Sequence, residues 1–168
     1  MVTPSANFTG GCTCGHVRYV MKSKPLIVHG CHCRWCQRQS GAAFAVNALV
    51  ESDRVEITSG EVTEIVIDSP SGTGQIIARC PRCQVAVWSN YLVFAGSAGE
   101  LVRFVKVGTL DAPDQFPPDV HIYTSTKQHW VTLCPDTLAV EEYYDTRETW
   151  SQASFERLSI LLREDTND

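Results

Sequence analysis

Seven of the eight cysteines in this sequence fall into three tight groups: Cys12-Thr13-Cys14, Cys31-His32-Cys33-Arg34-Trp35-Cys36 and Cys80-Pro81-Arg82-Cys83. Cys134 stands alone before Pro135 and reads as a buried, inert thiol. A Cys-x-x-Cys puts two thiolates on one tight turn, where both reach a single tetrahedral Zn²⁺ at about 2.3 Å. One such pair is half a site, so the other half must come from elsewhere. By spacing, Cys12, Cys14, Cys80 and Cys83 make a closed four-thiolate site, and Cys31, Cys33 and Cys36 hold a second zinc with one position open. A closed site is structural and an open one can do chemistry. Two other readings of the triple stay open at this point. Cys33 and Cys36 could form a redox dithiol, although no βαβ context surrounds them. His29, His32 or Cys134 could instead close the second site.

The elements around these groups are mostly strands. Val17, Tyr19 and Met21 alternate with Arg18, Val20 and Lys22, a period of two that predicts a strand after the first cysteine pair. Leu26 to Val28 reads as a short strand leading to Cys31. One or two helical turns fit between Cys33 and Gln39, with Gly41 reversing the chain. Residues 42–50, 54–58 and 61–67 read as successive strands, with Ser59-Gly60 as a tight connection. Ser69 to Gly74 is a loop by composition, and Gln75 to Arg79 delivers the chain into Cys80. Residues 85–88, 101–107, 120–124 and 129–133 are further strand candidates. Asp111 to Asp119 holds three prolines and must be an irregular surface connection. One helix is expected near the C-terminus, capped by a Thr149–Gln152 box and carrying the stripe Phe155, Leu158, Leu161 and Leu162.

Composition narrows the function classes. The 168 residues carry a formal charge of −5 and no Lys/Arg run, which disfavours phosphate-backbone binding and hence nucleic acid. Neither a secretory h-region nor a membrane-length apolar stretch is present, so a cytoplasmic location is expected, with the sequon at Asn7 read as chance. In a reducing compartment, eight cysteines need a reason other than disulfides.

The cysteine blocks resemble the glutathione-dependent formaldehyde-activating enzyme family, also called GFA or centromere-protein-V-like. Its opening G-x-C-x-C-G-x-V-x-Y is matched by Gly10 or Gly11, Cys12, Cys14, Gly15, Val17 and Tyr19. Its C-H-C-x-x-C-x-x-x-S-G is met by Cys31, His32, Cys33, Cys36, Ser40 and Gly41. Its C-x-x-C-G is met by Cys80 and Cys83, with Gln84 in place of the glycine, and its late His-Ile and Trp resemble His121-Ile122 and Trp130. The resemblance implies a mainly β, β-tent zinc-binding fold with short helical turns and a C-terminal helix. Residues 1–145 would form the zinc-binding β domain, with the helix and tail 146–168 packed on it. It implies two zinc ions, one structural and one on Cys31, Cys33 and Cys36. It also implies the activity: glutathione adds to formaldehyde to give S-hydroxymethylglutathione, a carbon–sulfur lyase running in reverse. The alternatives are a non-catalytic thiol carrier and a zinc-stabilised interaction module.

Three thiolates leave zinc with a formal charge of −1, which weakens its Lewis acidity but lets it hold a thiol deprotonated as fourth ligand. Glutathione carries two carboxylates, so Arg34, Arg38 and Lys127 are the candidate partners by motif proximity. Trp35 and Trp88 are candidate pocket walls, and His32 points either toward the open position or away. No proton donor for the adduct oxygen stands out. The oligomeric state is left open, with a homodimer as one option.

Overall fold

The alternation of Val17, Tyr19 and Met21 survives folding, and all three side chains are fully buried. In a computed structural model that describes residues 7–94 and 99–165, they belong to or adjoin β2 (Arg18–Met21). Residues 1–6 and 166–168, part of the expected N-terminal segment and C-terminal tail, lie outside the described residues. β2 pairs antiparallel with β1 (Phe8–Gly11) and with β5 (Val55–Ser59), forming a three-stranded sheet.

The second sheet has eight strands. They are β3 (Ile27–Cys31), β4 (Ala45–Glu51), β6 (Thr63–Ile67), β7 (Gln75–Arg79), β8 (Ala86–Tyr91), β9 (Val102–Lys106), β10 (Val120–Ile122) and β11 (Leu138–Ala139). Their spatial order is β11-β10-β3-β4-β9-β8-β7-β6. The pairings of β10 with β3 and β11 are parallel and the rest antiparallel. The mainly β expectation therefore holds, with two sheets, short helical turns and a C-terminal helix.

Both faces of this sheet are covered, and strand parity sorts residues between them. Val28, Ala48, Val50, Trp88 and Val105 pack with Tyr19 and Met21 of the small sheet. Ile27, Cys31, Leu49 and Val102 face the other way and pack with Trp150 and Leu158. The same parity lines up His29, Asn47 and Lys106 across three neighbouring strands.

α1 (Arg34–Ser40) fills the helical turns expected after Cys33, and Gly41 ends it at φ 66°, a left-handed conformation that glycine adopts without a Cβ clash. The region after residue 145 differs from expectation. Thr149 is the last residue of a short α2 (Thr146–Thr149), so its hydroxyl cannot cap the next helix. Ser151 does so for α3 (Gln152–Asp165), its Oγ accepting the Ser154 N–H at 3.1 Å. The strand expected over 129–133 does not form. Both edges of β10 are already taken by β3 and β11, and Val131 N–H closes a turn onto the Gln128 carbonyl instead. Cys134 is exposed rather than buried.

α3 is tied to the sheet through a buried carboxylate. Arg157 Nε donates to Glu51 Oε1 at 2.8 Å and Nη2 to Oε2 at 2.5 Å. The same guanidinium reaches the Lys24 carbonyl and Ser23 Oγ. Glu51 is 3% exposed, and Arg54 is its other cation at 3.4 Å. Arg157→Ala leaves that buried charge half-compensated and is expected to cost about 2–3 kcal/mol, read from the urea midpoint.

Candidate metal centres and cavity

The first centre joins the two sheets. Cys12 and Cys14 follow β1, and Cys80 and Cys83 follow β7; the four Sγ atoms all lie within 4.8 Å of one another. Cys12 Sγ is 3.5 Å from Cys14 Sγ, and Cys14 Sγ is 3.7 Å from Cys80 Sγ. A tetrahedron with zinc–sulfur bonds of 2.3 Å has an edge of about 3.8 Å, so the spacing fits one ion. No disulfide forms, and all eight thiols are free. The turns supply amides: Val17 N–H donates to Cys12 Sγ at 3.2 Å, and each turn closes through a main-chain bond, Gly15 N to Cys12 O and Gln84 N to Cys80 O.

Gln84 holds the place where the second turn needs a left-handed residue. Its φ is 63°, and its side-chain amide donates back to the Pro81 carbonyl at 3.0 Å while its own carbonyl accepts from Arg79. The side-chain bond is what a glycine there would lack.

The second centre sits where β3 meets α1. Cys31 ends the strand, Cys33 is the helix N-cap with its Sγ accepting the Cys36 N–H at 3.3 Å, and Cys36 lies one turn on. The three sulfurs lie within 4.8 Å of one another, and among the described residues no fourth His, Cys, Asp or Glu joins them. Hydrogen bonding to Cys33 and Cys36, reinforced by burial, pushes the Cys31 thiol up, while bonds from Cys31 and Cys36 pull Cys33 down. Three crowded thiols thus share protons unevenly, and a divalent cation would replace those protons. The donor set fits zinc.

The residues weighed as a fourth ligand are engaged elsewhere. His29 Nε2 lies 2.5 Å from the Tyr144 hydroxyl, and that hydroxyl accepts from Trp150 Nε1 at 2.7 Å. Burial drives His29 down to about 3, which keeps the ring neutral. His32 turns away from the sulfurs, its Nε2 2.9 Å from His121 Nδ1 and its ring stacked on Phe44. Cys134, at the surface, is outside the cluster.

All three sulfur residues line a cavity of about 660 Å³ on the helix-covered face of the large sheet. Arg34 and Trp35 line it too, Arg34 bonded to Gln37 Oε1 and Trp35 to Gln75 Oε1. Arg38 is exposed and outside the lining, and Lys127 spends its ammonium on the Gln128 and Val131 carbonyls. Trp88 belongs to the opposite face, opposite Val105 in the ladder and under the Arg103 guanidinium. Trp130 stands 74% exposed.

Besides Arg34, a second cation reaches the cavity, one that sequence reasoning passed over. Lys106 is half-buried there, in register with Asn47, and donates to Asn47 Oδ1 at 2.8 Å. Burial pulls its pKa down, against the attraction of the Cys36 and Cys31 sulfurs. The available signal was parity, because Lys106 shares the face of Phe104 on β9. Tyr123 was passed over as well. It sits just after β10 at φ 55° and lines the same cavity. Glu142 lines it as a carboxylate and accepts from Ser125 Oγ.

The fold and its two sulfur clusters define a mainly β protein with one closed four-cysteine centre and one open three-cysteine centre above a cavity. The chain belongs to the glutathione-dependent formaldehyde-activating enzyme family, whose sequence model matches residues 7–126. Among curated proteins no sequence matches the chain. A solved structure of a Rhodobacter sphaeroides protein is similar at 17% identity and a TM-score of 0.43, covering 61% of this chain and 87% of that one.

Gln84 gives a direct test of the four-cysteine turn. Gln84→Ala keeps the left-handed strain and loses the Pro81 bond, whereas Gln84→Gly removes the strain. The alanine variant is expected to be less stable than the glycine variant by about 1 kcal/mol in chemical denaturation.

Proposed function

We propose that the protein is a zinc-dependent carbon–sulfur lyase that forms or cleaves a thiol–carbonyl adduct of the S-hydroxymethylglutathione type at Cys31, Cys33 and Cys36. The observation that carries this reading is the convergence of three sulfurs, with no fourth His, Cys, Asp or Glu among the described residues, on the wall of a 660 Å³ cavity. A structural site would be closed, as the four-cysteine centre is. Family membership supports the thiol as glutathione and the carbonyl as an aldehyde.

In this reading Cys12, Cys14, Cys80 and Cys83 hold a structural zinc, and Cys31, Cys33 and Cys36 hold the second. The chemistry that zinc supplies at the second centre is stabilisation of a deprotonated thiol in its open position. In the addition, a carbon–sulfur bond forms, the carbonyl π pair moves to oxygen, and that oxygen takes a proton. We assign the proton to Tyr123. Tyr123 lines the cavity and burial keeps its hydroxyl protonated; it passes that proton to the adduct oxygen and regains the one the thiol gave up on ionising, so the step balances. Arg34 and Lys106 are the cavity's cations for the thiol's carboxylates, in place of Arg38 and Lys127. The eight free thiols suit a reducing compartment, and the cytoplasm is the location we propose. Among the described residues no helix is long and apolar enough to cross a membrane. We also propose that 146–168 works as part of one unit with 1–145, which the Arg157–Glu51 pair and the buried Trp150 and Leu158 support.

The deciding measurement is cobalt substitution followed by glutathione titration. Movement of the thiolate-to-cobalt bands is expected; unmoved bands at millimolar glutathione, with two metals bound, would sink the open-site reading. Cys36→Ser should reduce turnover to the spontaneous rate while the far-UV spectrum stays that of the folded wild type. A wild-type rate no faster than background at substoichiometric protein would leave a carrier.

Tyr123→Phe separates proton donation from binding. Its kcat is expected to fall by about a hundredfold with KM nearly unchanged. A kcat within threefold of wild type would remove Tyr123 from the reaction.

A further inference from the structure

A glutathione thiol and a one-carbon aldehyde are both hydrophilic, yet the cavity above Cys31, Cys33 and Cys36 carries a continuous aromatic wall. Phe104 is its centre. The Phe94 ring lies 5.4 Å from it edge-on, and the Tyr91 and His29 rings each lie 6.5 Å away. The wall continues from His29 to Tyr143 at 6.0 Å and from Tyr143 to Tyr123 at 6.2 Å. All six residues line the cavity. His29 belongs to the wall by its ring contacts with Phe104 and Tyr143, while its Nε2 is engaged by the Tyr144 hydroxyl.

This wall is built by the fold. His29 and Phe104 lie on β3 and β9, at positions whose parity points them to the helix-covered face, and Tyr91 ends β8 on the same side. At the other end Tyr143 is 44% exposed, so the wall runs outward to solvent. Aromatic surface left facing water is costly and gains by taking up an apolar group. The cations Arg34 and Lys106 line the same cavity, so one ligand can meet charge, sulfur and rings together.

The geometry points to a substrate class: a glutathione-type thiol adduct whose carbonyl partner is apolar and larger than formaldehyde, such as an aromatic or medium-chain aliphatic aldehyde. The inference rests on the reading of Cys31, Cys33 and Cys36 as the thiol site. It adds that the carbonyl substituent lies against Phe104, Phe94 and Tyr143. The reaction needs no oxidant or reductant. The thiol S–H adds across C=O with one carbon–sulfur bond made and the proton ending on oxygen, and the reverse step returns both partners.

The test uses stable thioethers, which bind without reacting. The zinc-loaded protein is titrated by calorimetry with S-methylglutathione and with S-benzylglutathione. The benzyl compound is expected to bind at least tenfold tighter. Tyr143→Ala, a change at the exposed end of the wall that leaves the core intact, should weaken the benzyl compound at least threefold and the methyl compound by less. Phe104→Ala should reduce the preference further if that variant folds. Affinities within twofold of each other, no binding of either compound, or a benzyl preference untouched by Tyr143→Ala would each overturn the proposal.

The cobalt titration with glutathione is read separately, because thioethers carry no ionisable thiol. Unmoved cobalt bands with a benzyl preference would overturn the thiol site, and with it the assignment of the wall to a carbonyl partner. Moved bands with equal thioether affinities would overturn the apolar carbonyl alone and leave the thiol site standing.

Discussion

Four sulfurs held 3.5 to 3.7 Å apart at the closest pairs are the constraint on which the rest of the molecule hangs. Ionised, they repel one another strongly at that distance; protonated, they offer one another only weak hydrogen bonds. A divalent cation would resolve the conflict, and in doing so it would fasten the exit of β1 in the small sheet to the exit of β7 in the large one. Cys14 and Cys80 are 66 residues apart, so the clasp also closes a long loop in the unfolded chain. Tyr19 and Trp88 meet edge to face at 5.6 Å in the same buried cluster as Cys12 and Cys80.

That clasp fixes the large sheet, and strand parity then divides the work between its faces. Ala48 and Val50 on β4 and Val105 on β9 are the small side chains that receive Tyr19 and Met21. The alternate positions carry Asn47, Phe104 and Lys106, which are polar, aromatic and charged groups poorly suited to a sealed core and well suited to a cavity. A one-residue slip in the β4–β9 register would exchange the two sets. The buried Glu51, where β4 ends, and its Arg157 partner on α3 oppose such a slip, because the carboxylate would lose its guanidinium.

The parts of this arrangement that were legible in the sequence are local ones. Cysteine spacing grouped the sulfurs, a period of two marked β2, and Gly41 marked the end of α1. The parts that were not legible depend on partners far along the chain. Residues 129–133 have strand-forming composition, but β10 has no free edge to offer them. Thr149 matched a capping pattern, yet α2 ends on it and the cap passes to Ser151. Arg38 and Lys127 sit close to motif residues in sequence, while Lys106, seventy residues beyond Cys36, reaches the cavity through the pairing of β4 with β9. Arg34 reaches the cavity from within the motif, whereas strand position rather than distance along the chain brings Lys106 there.

The same logic explains where the backbone is strained. Among the described residues two non-glycine residues occupy the left-handed region, and each stands at one of the two centres. Such a conformation costs about 1–3 kcal/mol and persists only where surrounding bonds over-determine it. At Gln84 the determining bonds belong to the cysteine turn itself: its N–H goes to the Cys80 carbonyl and its amide to Pro81. At Tyr123 they come from the segment following β11. Three successive N–H groups, of Tyr123, Thr124 and Ser125, donate to the carbonyls of Glu142, Val140 and Glu141. Those bonds turn the chain sharply after Ile122, at the end of a strand that lies in parallel register beside Cys31. A relaxed, extended residue at 123 would continue the strand past the site. The left-handed conformation at Tyr123 therefore sets where its ring can go, on the wall of the cavity that the three cysteines also line.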